Sequence, residues 1–238
     1  MSNVADNSGE IILSILVPVF NEELTIVDLI DLVQQSDIGT IKKEIIVIND
    51  GSTDKTLELL SNIEDIVLIN HQKNQGKGRA IRTGIQHSTG DVIVIQDADL
   101  EYDPNDFQNL IRPIIDGDAD VVYGSRRLKK DNEQHSALRF YIGGIVLTAI
   151  TNTLYPTANL TDEPTCYKAF RASVLRSIDL KCQRFEFCPE VTAKILRQGI
   201  NIIEVPISYY PRTVSQGKKI SWWDGLEAIW TLLKYRVL

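Results

Sequence analysis

Cysteine and histidine are both scarce, with three residues of each in the 238-residue chain. The cysteines are odd in number, form no Cys-x-x-Cys pair and have no histidine cluster beside them. We therefore expect neither a disulfide framework nor a zinc site, and the pattern is typical of a reducing compartment.

Positive charge is also in deficit. The 25 Lys and Arg residues against 32 Asp and Glu residues give a net charge of −7. This balance argues against a protein that binds nucleic acid through a bulk positive field. We expect no nucleic-acid partner.

Long apolar runs are missing as well. The longest weakly polar stretch, 141–150, is far shorter than the roughly 20 residues that span a bilayer. The first residues lack the basic and apolar regions of a signal peptide. We expect a cytoplasmic protein that is soluble or rests on the cytoplasmic face of the membrane.

What the chain does have is enough apolar sequence for a large core, at 43% hydrophobic residues. Short β-branched runs alternate with helical periodicity, which predicts repeated β-α steps. The predicted strands are 11–19, 44–49, 66–70, 92–96 and 120–124, and the helices between them are 22–35, 53–63, 77–87 and 105–115. Apolar runs without alternation favour strands buried on both faces, hence an α/β fold with a mainly parallel, doubly wound sheet.

The regular alternation of predicted strands and helices ends after residue 124. Helices are predicted at 136–155, 172–177 and 190–197, and a late strand at 200–210 returns to the sheet or its edge. Because no repeat, low-complexity stretch or linker interrupts the chain, we expect one domain over 1–238.

Polar residues follow four of the predicted strands. The candidate site residues in these segments are Pro18, Phe20 and Glu22 at the end of the first, Asp50 after the second, Asp97, Ala98 and Asp99 after the fourth, and Arg126 after the fifth. Open α/β sheets bind ligands at the carboxyl ends of their strands. We therefore expect carboxylates and an arginine to converge on one edge.

The tripeptide Asp-Ala-Asp occurs twice, at 97–99 and 118–120. Only the first follows a strand; the second precedes one and is interpreted as a solvated loop. Asp97 and Asp99, with Glu101 close by, supply the hard oxygen ligands that suit Mg²⁺ or Mn²⁺. A capped turn is the alternative, and the placement at the strand end favours the metal.

Several basic and acidic residues leave two interpretations open. Asp50 is either a turn residue or a hydrogen-bond acceptor for a base or ribose. Lys77 in NQGKGRA is slightly favoured as a solvated side chain. Arg212 and Lys218 lie in a Gly-containing loop that is either solvated or closes over a diphosphate.

The end of the chain is predicted to be an amphipathic helix. Its apolar positions are Trp222, Leu226, Ile229, Trp230, Leu233 and Val237, opposite Asp224, Glu227, Thr231 and Lys234. The apolar stripe suits either a core-facing helix or a helix in a bilayer interface.

Taken together, the motifs resemble the family 2 glycosyltransferases of GT-A fold. Those that carry the resemblance, in the family's order, are VPVFNEE (17–23), NDGSTD (49–54), NQGKGRA (74–80), DADLEYDP (97–104), ADVVYGSR (119–126), TDEPTCYKAFR (161–171) and EVPISYYPRTVSQGKK (204–219). Within the family the chain is most similar to the dolichyl-phosphate and polyprenyl-phosphate hexose synthases. It differs at Asn49, where many relatives have the first Asp of an acidic pair.

The resemblance implies a role for each matched position. Pro18, Phe20, Glu22 and Ala98 would line the nucleotide pocket, and Ile48 and Asp50 would contact base and ribose. Asp97 and Asp99 would hold Mg²⁺ or Mn²⁺, completed by Glu101. Arg126, Arg212 and Lys218 would bind the donor and acceptor phosphates.

The implied function is metal-dependent, inverting transfer of a hexose from a UDP- or GDP-linked sugar to a polyprenyl or dolichyl phosphate. Residues 1–126 would bind the nucleotide sugar, and 127–238 would face the acceptor and the membrane surface or a membrane-protein partner. Transfer to a sugar hydroxyl is the first alternative, with Asp162 and Glu190 as candidate bases, and a non-catalytic nucleotide-sugar-binding module is the second. With a phosphate acceptor, Asp162→Asn is expected to retain turnover.

Overall fold

One mixed sheet organises the chain in the computed structural model, which describes residues 10–132, 138–212 and 221–238. The strands are β1 (Ile12–Val19), β2 (Lys42–Asn49), β3 (Val67–Asn70), β4 (Val92–Ile95), β5 (Val121–Ser125), β6 (Lys168–Arg171) and β7 (Ile202–Pro206). Their order across the sheet is β3-β2-β1-β4-β6-β5-β7. The pairs among β1, β2, β3 and β4 and the pair β5–β7 are parallel, which confirms the mainly parallel sheet.

The strand β6 was not predicted. It lies between β4 and β5 and is antiparallel to both. Its sequence, Lys-Ala-Phe-Arg, has a charge at each end and no period, yet Lys168 is fully buried. The Lys168 Nζ donates to the Glu163 carbonyl at 2.8 Å and lies 3.3 Å from the centre of the Tyr123 ring. These tertiary contacts help to stabilise the buried lysine.

Eight helices connect and cover the strands in the described part of the chain. They are α1 (Ile26–Gln35), α2 (Thr56–Leu60), α3 (Lys77–His87), α4 (Phe107–Ile115), α5 (Leu138–Leu154), α6 (Ala172–Ser177), α7 (Phe187–Arg197) and α8 (Trp222–Val237). All were predicted, with boundaries that differ by a few residues. The predicted late strand at 200–210 forms only as β7, at the sheet edge.

Helices lie on both faces of the sheet, as the unbroken apolar runs predict. In β1, Leu13, Ile15 and Val17 pack on one side with α1 and α4. Leu16 points to the other side, where the core includes residues of α3, α7 and α8. The doubly wound α/β architecture is confirmed.

The strand order fixes where a ligand-binding crevice forms. The strand β1 pairs with β2 on one side and β4 on the other, and the three run parallel. The carboxyl ends of these strands therefore lie at one edge of the sheet, which is where open α/β sheets bind ligands.

Most of the apolar stripe of α8 is exposed. Trp222 and Trp230 are each 65% exposed, whereas Asp224 and Thr231 on the opposite face are buried. The core-facing interpretation is therefore wrong for most of the stripe, and Ile229 is the member that packs against the core. Within the described ranges, no helix is long and apolar enough to cross a membrane.

Candidate active site

A cleft of about 1370 Å³ opens at the carboxyl ends of the strands. One side is formed by the segments that follow β1, β2 and β4. The other is formed by α5 and α8, which contribute the cleft residues Phe140, Val146, Leu147, Trp222, Leu226 and Ile229. The cleft is therefore polar at one end and apolar at the other.

The first Asp-Ala-Asp lies in the polar end, directly after β4. Leu100 has a positive φ of 59°, so the chain turns sharply behind Asp99 and keeps both carboxylates in the cleft. Burial raises the pKa of Asp97 to about 7, and burial together with the neighbouring Asp97 raises the pKa of Asp99 to about 7. Two crowded, desolvated carboxylates of this kind favour a nearby cation.

Each of these carboxylates contacts a basic side chain. The Lys77 Nζ lies 2.5 Å from Asp97 Oδ1, and the Arg212 Nη2 lies 3.0 Å from Asp99 Oδ2. The interpretation of Lys77 as a solvated side chain is wrong, because it is largely buried against Asp97 and the Cys166 Sγ, 3.1 Å away. Lys77 begins α3, and nothing in its local sequence indicates that Asp97 lies opposite.

Glu101 occupies a different place from the one expected. Its carboxylate accepts hydrogen bonds from the Tyr209 hydroxyl at 3.1 Å and from the Arg212 backbone N–H at 2.8 Å. It therefore holds the segment that carries Arg212. No group of three potential metal ligands exists in the described ranges, so the predicted three-carboxylate site is not formed.

Asp97 and Asp99 alone still fit a divalent ion. Their oxygens are the hard ligands that Mg²⁺ and Mn²⁺ prefer, and Mg²⁺ commonly takes one or two carboxylates and completes its sphere with waters and substrate phosphates. The cationic partners that both carboxylates already have show that positive charge is stabilised at this position.

Asp50 shapes the loop that leads into α3. It is buried, and its carboxylate accepts hydrogen bonds from the Gln75 and Gly76 backbone N–H groups and lies 2.7 Å from His71 Nδ1. Gly76 has a φ of 93°, and a Cβ there would meet the Gln183 carbonyl at 2.4 Å. Asp50 therefore acts as a turn residue that also lines the cleft; its contact with a nucleotide stays a prediction.

Most of the other predicted nucleotide residues border the cleft. Pro18, Phe20, Glu22, Asp50 and Ala98 all line it. Ile48 does not: it is fully buried in the core, and its Cδ1 would contact a Cβ placed on Gly84 at 2.9 Å. The Ile48 side chain points into the sheet–helix interface, so the predicted contact of Ile48 with a base stays a prediction for its backbone.

Arg126 reaches the cleft from the end of β5 and is held there by Asp162. The Nε and Nη2 atoms of Arg126 donate to the two Asp162 oxygens at 2.7 Å each, and the Arg126 backbone N–H donates at 3.0 Å. Burial opposes ionisation of Asp162, but Arg126 outweighs it and lowers the Asp162 pKa below its ordinary value.

Neither predicted base is placed to act as one. Asp162 is fully buried and bound to Arg126 on both oxygens, so the expectation that Asp162→Asn leaves turnover intact is withdrawn. Glu190 is also buried; its Oε1 accepts from the Lys181 backbone N–H at 2.7 Å and lies 2.5 Å from Lys194 Nζ. The two carboxylates are structural.

Two further predictions concern residues away from this cluster. Lys218 lies outside the described residues. In the second Asp-Ala-Asp, Asp118 is exposed and Asp120 forms an ion pair with Arg171 at 2.5 Å. Of the two copies, only the first borders the cleft.

The geometry agrees with what the chain is similar to. The model of the family described as "Glycosyl transferase family 2" matches residues 14–179, which include most of β1, all of β2 to β6 and the first Asp-Ala-Asp. The chain belongs to glycosyl transferase family 2. Members of this family are glycosyltransferases, so the protein is an enzyme of that class.

Similar family 2 proteins include two that are named for dolichyl-phosphate acceptors. The UDP-N-acetylglucosamine–dolichyl-phosphate N-acetylglucosaminyltransferase of Methanococcus voltae is 27% identical over 94% of this chain and 95% of its own length. The dolichyl-phosphate β-glucosyltransferase ALG5C of Trichomonas vaginalis is 29% identical over 84% of this chain and 64% of its own length.

A solved structure confirms the GT-A fold. Glucosyl-3-phosphoglycerate synthase from Mycobacterium tuberculosis, crystallised with Mn²⁺, UDP and glucosyl-3-phosphoglycerate, superposes with a TM-score of 0.73 at 18% identity. The match covers 97% of this family 2 chain and 81% of that chain.

Sequence reasoning missed the roles of three residues at or next to the cleft. Cys166 contacts Lys77, and Asp162 orients Arg126. The centre of the Tyr209 ring lies 5.0 Å from the guanidinium carbon of Arg126. Cys166 and Asp162 lie within TDEPTCYKAFR and Tyr209 within EVPISYYPRTVSQGKK, so the motifs marked the segments but not these roles.

Proposed function

We propose that the protein transfers a hexose from a nucleotide sugar to a polyprenyl or dolichyl phosphate at a membrane surface, with inversion. The observation that carries the proposal is the cleft itself, which joins the Asp97 and Asp99 carboxylates to the exposed apolar helices α5 and α8. A lipid-phosphate acceptor has the same division into a charged end and a long apolar end.

The donor belongs at the polar end, in the half formed by residues 1–126. Pro18, Phe20, Glu22, Asp50 and Ala98 line this end and would surround the nucleoside. Asp97 and Asp99 would hold Mg²⁺ or Mn²⁺, which as a Lewis acid stabilises the charge that develops on the nucleoside diphosphate as it leaves. Arg126 and Arg212 add fixed positive charge for the same leaving group or for the acceptor phosphate.

The residues of the cleft favour a phosphate acceptor over a sugar hydroxyl. A phosphate monoester has a second pKa of about 6 and is largely a dianion near neutral pH, so it attacks without a general base. A hydroxyl acceptor needs one, and Asp162 and Glu190 are both engaged in buried ion pairs. Relatives named for dolichyl phosphate point in the same direction.

The acceptor half, residues 127–238, supplies a surface that suits a bilayer interface. Trp222, Trp230 and Val237 on α8 and Leu138 and Ile142 on α5 are exposed, and the two helices pack together. Lys234 and Arg236 accompany the apolar residues at the end of α8. Exposed Trp residues with nearby basic side chains are typical of helices that lie in a membrane interface.

The reaction itself is tested with purified protein, a short polyprenyl phosphate, and UDP- and GDP-linked hexoses, each with Mg²⁺ or with excess chelator. We expect a glycosyl-phosphoryl lipid in the organic phase that disappears with chelator, read by mass spectrometry. Release of nucleoside diphosphate without a glycosylated lipid in the organic phase would favour a sugar hydroxyl as the acceptor. Binding without turnover across donors and acceptors would favour the non-catalytic module.

Membrane binding is tested with the variant Trp230→Ser/Val237→Ser, since neither residue lines the cleft. Removing two exposed apolar side chains from the interface is expected to weaken co-sedimentation with anionic lipid vesicles by about tenfold or more. The matched control is Leu32→Ser, which removes an exposed apolar side chain from α1. Equal vesicle binding of the double variant and the wild type would contradict the proposed surface.

A further inference from the structure

Basic side chains form ion pairs with Asp97 and Asp99, the two carboxylates that the proposed function assigns to the metal. Lys77 contacts Asp97 and Arg212 contacts Asp99, each through one carboxylate oxygen. A divalent ion that binds both aspartates must compete with both contacts, because an ammonium or guanidinium group next to the ion repels it. The metal therefore does not enter an unpaired site.

The backbone under Lys77 cannot move away easily. The Gly78 and Arg79 N–H groups donate to the Arg184 and Gln183 carbonyls at 2.9 Å each. A Cβ on Gly78 would meet the Arg184 carbonyl oxygen at 2.9 Å, which shows how closely the helix start approaches this segment. Displacement by a metal is therefore confined to the Lys77 side chain, a flexible four-carbon stem with a compact charge.

The displaced ammonium needs a new anionic partner inside the cleft. The Cys166 Sγ, 3.1 Å away, is one neighbour that Lys77 already has, but it offers a single sulfur atom, which accepts hydrogen bonds only weakly. The diphosphate of a bound nucleotide offers several anionic oxygens beside the metal. The Lys77 ammonium group that leaves Asp97 can therefore form a new ionic contact with the diphosphate.

We propose that Lys77 couples metal and nucleotide binding by exchanging its Asp97 contact for a diphosphate oxygen. The inference rests on the proposed function, since it takes Asp97 as a metal ligand and a nucleoside diphosphate as the leaving group. Metal alone binds weakly because Lys77 holds Asp97. Nucleotide alone leaves Asp97 facing phosphate. When metal and nucleotide are both bound, Asp97 faces the metal and Lys77 faces the diphosphate. Each ligand therefore strengthens binding of the other by the same factor.

The exchange also gives Lys77 a positioning role in the reaction. When the nucleotide leaves, Lys77 would return to Asp97 and weaken metal binding again, so that the metal is released after the nucleoside diphosphate. Arg212 makes the parallel contact with Asp99, and Glu22 on its other side holds it at 2.9 Å. Lys77 differs in that Asp97 is its one carboxylate partner among the described ion pairs.

The coupling is measured by titrating Mn²⁺ against the full chain, with the free ion followed by electron paramagnetic resonance. Titrations are made without nucleotide, with UDP and with GDP. In the wild type we expect one of the nucleotides to tighten Mn²⁺ binding by about 5- to 150-fold. In Lys77→Met we expect Mn²⁺ alone to bind at least about fivefold tighter and the nucleotide effect to shrink by a similar factor.

Two controls separate this role from a structural one. Lys42→Met removes an exposed lysine at the amino end of β2, on the opposite edge of the sheet, and should leave both Mn²⁺ affinities unchanged. Lys77→Arg keeps the charge and should restore most of the coupling. Thermal unfolding of each variant shows whether the fold persists, and a destabilised Lys77→Met protein is replaced by Lys77→Gln.

The outcomes distinguish the inference from the proposed function. Normal coupling in the wild type with unchanged or weaker Mn²⁺ binding in Lys77→Met overturns the exchange and leaves the proposed metal site standing. A wild type that binds no Mn²⁺ with either nucleotide overturns both. Tighter Mn²⁺ binding in Lys77→Met with reduced coupling is the result that supports the exchange.

Discussion

Replacing Asp97 or Asp99 by Asn is expected to lower turnover by about 10²- to 10³-fold, because each change removes a negative ligand of the metal that stabilises the leaving group. The fold should tolerate either change, since burial and neighbouring negative groups already disfavour both carboxylates and raise their pKa values to about 7. The measurement is initial rate over a range of Mg²⁺ concentrations, together with thermal unfolding of each variant.

The chain supplies its own control for this experiment. Asp118 belongs to the second Asp-Ala-Asp, is exposed and does not line the cleft. Asp118→Asn should therefore keep turnover within about twofold of the wild type, as surface changes usually have small effects. Equal rates for Asp97→Asn, Asp99→Asn and the wild type would show that the reaction does not use these carboxylates.

The second large effect is expected at the Arg126–Asp162 pair. Arg126→Met leaves the fully buried Asp162 carboxylate without its guanidinium partner. Breaking a buried ion pair from one side costs about 3–5 kcal/mol, which corresponds to a fall in Tm of roughly 6–20 °C for a chain of this size. Arg126 also lines the cleft, so turnover should fall at temperatures where the variant is folded.

A double-mutant cycle isolates the pair. Asp162→Asn should destabilise the protein by a comparable amount, and it should also reduce turnover because Arg126 loses the bidentate contact that orients it. Arg126→Met/Asp162→Asn should lose less stability than the sum of the single changes, because it leaves no buried charge unpaired. Strict additivity of the two single effects would mean that the pair contributes little, contrary to its geometry.

The segments that line the cleft could be predicted from the sequence alone. The buried strands before Glu22, Asp50, Asp97 and Arg126 are apolar runs of local origin, and the segment after each strand must emerge at the same edge of a parallel sheet. For the same reason the two copies of Asp-Ala-Asp could be separated by their position relative to a strand. Local patterns carry this information because strand formation depends on nearby residues.

Only the tertiary structure decided which side chains meet. The Arg212 contact with Glu22 joins residues 190 positions apart, and the Lys77 contact with Asp97 joins two separate β-α units. The direction of the α8 stripe was equally inaccessible, because a helical period defines two faces without saying which one packs. The same holds for β6, whose buried Lys168 is stabilised by the Glu163 carbonyl and the Tyr123 ring. Pairings of this kind depend on the relative placement of whole elements, which no local pattern contains.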